Sequence, residues 1–272
     1  MLLGRMILLA AVFAAAFASC SPGKGASPPP EPTATTSPAR KGPERLKVKV
    51  VSTRPHDPAA YTQGLVWHEG SVYESAGQYG VSSLRQVDPA TGEVRRKLDL
   101  PPQYFGEGLA RVGDRLVQLT WQEGVAFVYR ISDFEKVGEH RYTGEGWGLC
   151  HDGTRLIMSD GSDRLAFRDP ETFAVTGEVR VRMEGAPVDQ LNELECVDGA
   201  VYANVYQTQH IVRIDPATGE VTALIDASGL LGAADYQAGA EVLNGIAWVP
   251  ETKRFLITGK NWPLVFEVEV VP

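Results

Sequence analysis

Gln63, Glu107, Trp147, Asn192 and Asn244 lie in five short motifs that return along the chain: Thr62-Gln63-Gly64-Leu65, Gly106-Glu107-Gly108-Leu109, Gly146-Trp147-Gly148-Leu149, Asn192-Glu193-Leu194-Glu195 and Asn244-Gly245-Ile246-Ala247. The second positions of these motifs, 63, 107, 147, 193 and 245, are 44, 40, 46 and 52 residues apart. A carboxylate set among amides can hold polar groups and exchange protons with them. Glu107 stands between two glycines, and at a crowded axis it would lose hydration that a partner or a function must offset. The amides also have a plainer use, satisfying backbone groups between repeated units, and Asn244 taken alone fits it. A second group, Trp121, Asp160, Tyr206 and Lys260, stands at the ends of the strands that follow. Aromatic residues there also serve as core. Lys260, in the turn Thr258-Gly259-Lys260-Asn261-Trp262-Pro263, either aims its ammonium at a channel mouth or exposes it.

Something must bring these distant residues together. Downstream of each motif is a β-prone stretch, among them Val72-Tyr73-Glu74-Ser75, Leu116-Val117-Gln118-Leu119-Thr120 and Phe255-Leu256-Ile257-Thr258. Further on comes a turn. Asp88-Pro89-Ala90-Thr91-Gly92 returns as Asp215-Pro216-Ala217-Thr218-Gly219, with degraded copies at Ile131-Ser132-Asp133-Phe134 and Asp169-Pro170-Glu171-Thr172. Asp-Pro opens a turn, and Gly supplies positive φ near its end. A unit of about 45 residues is the length of a four-stranded propeller blade. The expectation is an all-β, five-bladed β-propeller over residues 46–272, with the N-terminal strand Leu46–Thr53 completing the last blade and removing open sheet edges. First strands line the axis of such a fold, so the motifs converge there. The glycines beside Glu107 and Trp147 are expected to permit close approach and to make room for a substrate.

The segment before this domain differs in kind. Met6 to Ala18 is an uninterrupted apolar run after Arg5, too short to span a bilayer comfortably, which fits an export signal over residues 1–19. Phe17-Ala18-Ser19-Cys20 resembles a bacterial lipobox, which makes Cys20 a lipidation candidate and the membrane a partner through that lipid. Residues 20–45 read as a Pro-rich spacer, with seven prolines between Ser21 and Arg45 and no aromatic or branched aliphatic residue. The expected address is therefore the cell envelope. Residues 1–45 hold five basic and two acidic residues, which leaves 21 basic and 32 acidic in the domain, a formal −11. That balance argues against a nucleic-acid partner. Cys150 and Cys196 follow their motifs at matching offsets, and two buried, inert thiols are expected there rather than a bond. The five histidines lack paired metal-ligand spacing.

The motifs Tyr61-Thr62-Gln63-Gly64-Leu65, Phe105-Gly106-Glu107-Gly108-Leu109, Leu119-Thr120-Trp121, Gly144-Glu145-Gly146-Trp147-Gly148-Leu149, Leu191-Asn192-Glu193-Leu194-Glu195, Asn204-Val205-Tyr206-Gln207-Thr208 and Gly259-Lys260-Asn261-Trp262-Pro263 resemble those of the plant-type (papaya-like) glutaminyl-peptide cyclotransferases. The resemblance covers residues 46–272 in order. It implies a five-bladed propeller that converts an N-terminal glutamine to pyroglutamate with release of ammonia, without zinc or other cofactor. It also implies Glu107 as the catalytic carboxylate, Gln63, Asn192 and Lys260 as polar positions, and Tyr61, Phe105, Trp121, Trp147 and Tyr206 as an aromatic wall; the chemistry of the reaction makes Lys260 and Asn192 candidates to stabilise its oxyanion and so joins them to the catalytic set. Asn244 joins the substrate-binding set from its place in the repeat. Tyr61 and Tyr206 depart from the Phe and Trp more usual in the family. A calcium-dependent lactonase-like propeller, using Glu107, Asn192 and Asn244 as oxygen ligands, and a non-catalytic peptide- or glycan-binding propeller are the alternatives. A monomer is expected.

Overall fold

The structure, a computed structural model, describes residues 42–272. The expected export signal, Cys20 and nearly all of the spacer lie outside the described residues. Strand β1 (Glu44–Pro55) comes first and starts two residues before the expected domain boundary. Three antiparallel four-stranded sheets follow: β2 (Thr62–His68), β3 (Ser71–Ala76), β4 (Ser83–Val87) and β5 (Val94–Asp99); β6 (Gly106–Val112), β7 (Arg115–Thr120), β8 (Val125–Arg130) and β9 (Lys136–Arg141); β10 (Leu149–His151), β11 (Leu156–Ser159), β12 (Arg164–Arg168) and β13 (Val175–Arg180). A small ladder, β14 (Arg182–Met183) with β15 (Ala186–Pro187), separates these from β16 (Leu191–Val197), β17 (Ala200–Val205), β18 (His210–Ile214) and β19 (Val221–Asp226). A short helix α1 (Ala233–Gln237) precedes β20 (Leu243–Val249), β21 (Arg254–Gly259) and β22 (Leu264–Val271). The fold is all-β and propeller-like.

The repeated turn works as its sequence dictates. Asp88 Oδ1 accepts from the backbone N–H groups of Ala90 and Thr91 at 2.7 and 3.0 Å, and Gly92 takes φ +73°. Asp215 and Gly219, at φ +75°, repeat the arrangement. In the degraded copies the left-handed position falls to Phe134 (φ +63°) and Phe173 (φ +60°). Both rings are almost wholly buried, and that burial offsets the steric cost that glycine avoids.

The first strands touch one another in a closed cycle, β2 to β6 to β10 to β16 to β20 and back to β2. Each seam is filled by its own apolar cluster. Leu84 meets Leu109 and Leu116 at one seam, and Leu65 meets Ala247 and Leu256 at the seam where the cycle closes. Strand β1 pairs antiparallel with β22 from Lys47 to Pro55, so the N-terminal strand completes the last sheet. Its first residues, Glu44 to Lys47, also run parallel to Ala223–Asp226 of β19. Nothing in the repeat announces that second pairing, which joins the last two groups of strands into one eight-stranded sheet.

Two expectations need correction. Cys150 in β10 and Cys196 in β16 are joined in a disulfide, with Cα atoms 5.6 Å apart, rather than standing as two free thiols. Equal offsets on adjacent first strands put them face to face. The glycines beside Glu107 and Trp147 permit close approach as expected, but protein rather than a substrate fills the space: backbone beside Gly108 and Gly148, and the Gln118 amide and Tyr142 hydroxyl beside Gly106 and Gly146. A Cβ on Gly108 would lie 2.5 Å from the Leu149 nitrogen, and one on Gly148 would collide with the Asn192 carbonyl. These glycines let the central strands approach closely enough for Gly108 N–H to donate to the Trp147 carbonyl at 2.7 Å.

Candidate active site

The four polar motif residues share a backbone device. Register irregularities fall between Thr62 and Gly64, Gly106 and Leu109, Leu191 and Leu194, and Leu243 and Ile246. Gln63, Glu107, Asn192 and Asn244 each sit inside one. Bulges re-aim side chains that regular pleating would send sideways, and here they occur on four of the five central strands, β2, β6, β16 and β20. Trp147 precedes β10, and its N–H donates to the Ser159 carbonyl at 3.1 Å.

A cavity of about 240 Å³ opens where these residues meet. It is lined by Gln63, Glu107, Asn192 and Lys260 among the polar positions and by Tyr61, Phe105, Trp121, Trp147 and Tyr206 among the aromatic ones, together with Gln78. Asn244, expected among the substrate-binding positions, does not line it. Asn244 lies behind Gln63, donating from Nδ2 to Gln63 Oε1 at 3.0 Å and to the Thr62 carbonyl at 2.9 Å. Spacing places a residue around the axis but says nothing of its depth along it. Asp160 is also drawn away, by Arg164 and by the Ser162 hydroxyl.

Glu107 is 4% exposed, and Gln63 Nε2 donates to its Oε1 at 2.8 Å. Burial pushes its pKa well above the usual carboxylate range; the Lys260 ammonium opposes that rise, and the carboxylates of Glu145 and Glu123 add to it. Lys260 is pulled down by burial against the upward pull of Glu107 and Glu241. Its Nζ lies 4.7 Å from the centre of the Tyr61 ring and 4.8 Å from that of Tyr206, so two π faces hold the ammonium. The two positions that depart from the usual family residues thus both face the same cation. Asn192 Oδ1 is buried with no hydrogen-bond partner among the described residues.

The aromatic wall has a support that the sequence reading missed. Trp121 and Trp147 both donate their indole N–H to Oε2 of Glu145, at 2.8 and 2.9 Å. Burial would raise the Glu145 pKa, but these donors and the Gln122 amide outweigh it and hold the group ionised. Phe105 packs edge-on between Tyr61, Tyr79 and Trp121, with centroids 6.1, 5.3 and 5.7 Å away. Gln78, also missed, holds φ +99° at the rim. The signal for Glu145 was its place one residue before Gly146-Trp147-Gly148. Nothing in the repeat marks Gln78.

Deeper in the axis, Glu193 accepts from the backbone N–H groups of Leu65 and Ile246 at 3.2 and 2.8 Å. It joins three first strands and lines no part of the cavity. Among the described residues, no three of His, Cys, Asp and Glu gather as a metal-binding group.

The glutamine cyclotransferase family model matches residues 26–270. The chain belongs to the glutamine cyclotransferase family. It is 40% identical over 230 residues to a glutaminyl-peptide cyclotransferase of Arabidopsis thaliana, covering 82% of this chain and 71% of that relative. The crystal structure of Myxococcus xanthus glutaminyl cyclase superposes with a TM-score of 0.77 at 41% identity, over 84% of this chain and 98% of that one. In this cyclotransferase the matched span includes every residue that lines the cavity.

Proposed function

We propose that the protein is a glutaminyl-peptide cyclotransferase, acting on peptides or proteins with an N-terminal glutamine and releasing pyroglutamyl product and ammonia. The observation that carries the reading is the placement of Glu107, Asn192 and Lys260 around one aromatic-walled cavity in a member of this family. The substrate's α-amine attacks its own side-chain amide carbon, so the cavity's task is to hold a five-membered closure geometry. As the new C–N bond forms, Glu107 takes a proton from the attacking nitrogen; as the old C–N bond breaks, it gives that proton to departing ammonia. A carboxyl whose pKa is raised by burial is suited to both halves of that exchange. Lys260 and the Asn192 amide stabilise the tetrahedral oxyanion, and the indoles and phenyl ring exclude water.

The ring of first strands and their seam clusters support a five-bladed count, with β1 as the fourth strand of the fifth blade. The run Met6–Ala18 and the following Cys20 support export to the cell envelope with Cys20 lipidated, residues 20–45 acting as spacer. Replacing Cys20 by Ala should move the protein from the membrane to the soluble fraction; membrane retention of that variant would remove the lipid anchor. We take the enzyme to be a cofactor-free monomer.

Incubation of the purified protein with a Gln-initiated peptide, with and without chelator, tests the activity. Chelator-resistant ammonia release with loss of 17 mass units, about the mass of the ammonia leaving group, supports it. No turnover on any Gln-initiated peptide would sink it, and chelator-sensitive lactone hydrolysis would favour the calcium-dependent alternative. Of the three oxygen ligands that alternative would use, Asn244 does not line the cavity, and Glu107 already has the Lys260 ammonium acting on it.

A further inference from the structure

Asn244 touches no part of the cavity, yet it settles how a group inside the cavity is presented. Its amide lies 2.9 Å from the Thr62 carbonyl oxygen and 3.0 Å from the Gln63 side-chain amide. A backbone carbonyl can only accept, so the Asn244 atom facing it must be the nitrogen. The neighbouring Gln63 atom must then be an acceptor, which turns the Gln63 oxygen toward Asn244 and its nitrogen toward Glu107. That nitrogen is 2.8 Å from Glu107 Oε1. Oε1 therefore only accepts, whether the carboxyl is ionised or neutral. Any proton the carboxyl carries must sit on Oε2.

We propose that Asn244 is a positioning residue that locks the Gln63 amide, so that Glu107 keeps a permanent donor on Oε1 and exchanges the substrate's proton through Oε2 alone. The inference rests on the reading of Glu107 as proton shuttle. Without Asn244, Gln63 is free to turn its oxygen toward a protonated Glu107 and accept from it. The neutral carboxyl then gains an acceptor that favours it, so the midpoint rises. The other groups facing Glu107 stay in place: Lys260, which favours the ionised form; Glu145 and Glu123, which disfavour it; and the hydroxyls of Tyr61, Tyr79 and Tyr142.

The test is a carboxyl-carbon NMR titration of the protein labelled at glutamate, with Glu107 assigned by its loss in Glu107→Gln. It is run on wild type, Asn244→Ala, Gln63→Met and the double variant, with Asn244→Ser as a second replacement that better fills the space. A hydrogen bond to a charged group is expected to move the Glu107 midpoint up by about one pH unit in each single variant. The double variant should move no further than Gln63→Met, because both substitutions act through the Gln63 amide. The acid limb of the kcat profile should shift by the same amount, with KM changed by less than about twofold. A midpoint that stays at the wild-type value in Asn244→Ala or Asn244→Ser overturns the proposal, as does a double variant whose shift is the sum of the two. If the midpoints move as stated but the wild type cyclises no Gln-initiated peptide, the functional reading falls and the relay stands.

Discussion

Gln63 donates to Oε1 of Glu107 across 2.8 Å and so ties the first sheet to the second at the polar end of the cavity. The bond favours the ionised carboxylate, as does the Lys260 ammonium, while burial, Glu145 and Glu123 favour the neutral acid. Burial is the largest of these effects, and the group's pKa rises well above its ordinary value of 4.5. A native acid held in that way binds more protons than its unfolded counterpart between the two pKa values. Its contribution to stability is complete below the unfolded value and is lost as pH rises through the folded one.

Replacing Glu107 by Gln should therefore do two opposite things. Turnover should fall by roughly 10²–10⁴-fold, the range for loss of a general acid–base group. The melting temperature at neutral pH should stay the same or rise, because an amide carries no ionisation cost in that position. Ammonia release and circular-dichroism melting check both. Retained turnover in a folded variant would take Glu107 out of the catalytic role.

The contrast between Gln63 and Asn244 shows how much of the site was legible in the sequence. Both are amides directly before a motif glycine, Gly64 and Gly245, and the period places both on the axis. Only the structure separates the one that faces the cavity from the one that backs it. The fold was legible because two units carry the full turn chemistry, Asp88 with Gly92 and Asp215 with Gly219, and two more keep degraded copies, and this chemistry acts locally. The parallel pairing of Glu44–Lys47 with β19 and the bond between Cys150 and Cys196 depend on how units sit beside one another. No local pattern encodes either. Glu145 was passed over because its role exists only where two indoles from different loops meet one carboxylate.

Tyr206 should matter through its ring rather than its hydroxyl. Its face lies 4.8 Å from Lys260 Nζ, and its edge meets Trp147 with centroids 5.6 Å apart. Tyr206→Phe keeps both contacts and should leave kcat within about twofold, since the cation is held by the π face. Tyr206→Leu removes a partly desolvated cation–π contact of about 1–2 kcal/mol and should lower kcat/KM by roughly 5–30-fold. Steady-state kinetics on a Gln-initiated peptide distinguishes the two. Equal losses in both variants would mean the hydroxyl is the working part.

The disulfide should stabilise the fold without serving the reaction. Cys150 and Cys196 are 46 residues apart and lie outside the cavity lining. A loop of that length corresponds to about 4 kcal/mol of denatured-state entropy, of which about 2–4 kcal/mol is commonly realised. Replacing both cysteines by Ala, or reducing the bond, should lower the denaturant midpoint accordingly while kcat changes little. A large fall in kcat with an unchanged midpoint would reverse that assignment.

His56 and Glu74 form a buried pair that braces the turn carrying Lys260. His56 places one ring nitrogen 3.0 Å from Glu74 Oε1 and the other 2.7 Å from the Trp262 carbonyl, two residues beyond Lys260. Burial would lower the His56 pKa, but the Glu74 charge and hydrogen bond outweigh it and the group ends raised; burial would raise Glu74, but His56, Arg85 and Thr62 outweigh it and the group ends lowered. The raised histidine stabilises the fold fully below its unfolded value of 6.5, and that contribution is lost as pH rises through the folded pKa. The lowered glutamate stabilises above its unfolded value of 4.5, and that contribution is lost as pH falls through the folded pKa. Both are present in full only between 4.5 and 6.5. His56→Gln should therefore cost most in melting temperature within that window and progressively less on the alkaline side. The comparison with wild type cancels His68, His140 and His151, whose pKa values are lowered by burial and act in the opposite sense. A difference between the two proteins that does not change with pH would show that His56 is neutral in the folded state and acts through its hydrogen bonds alone.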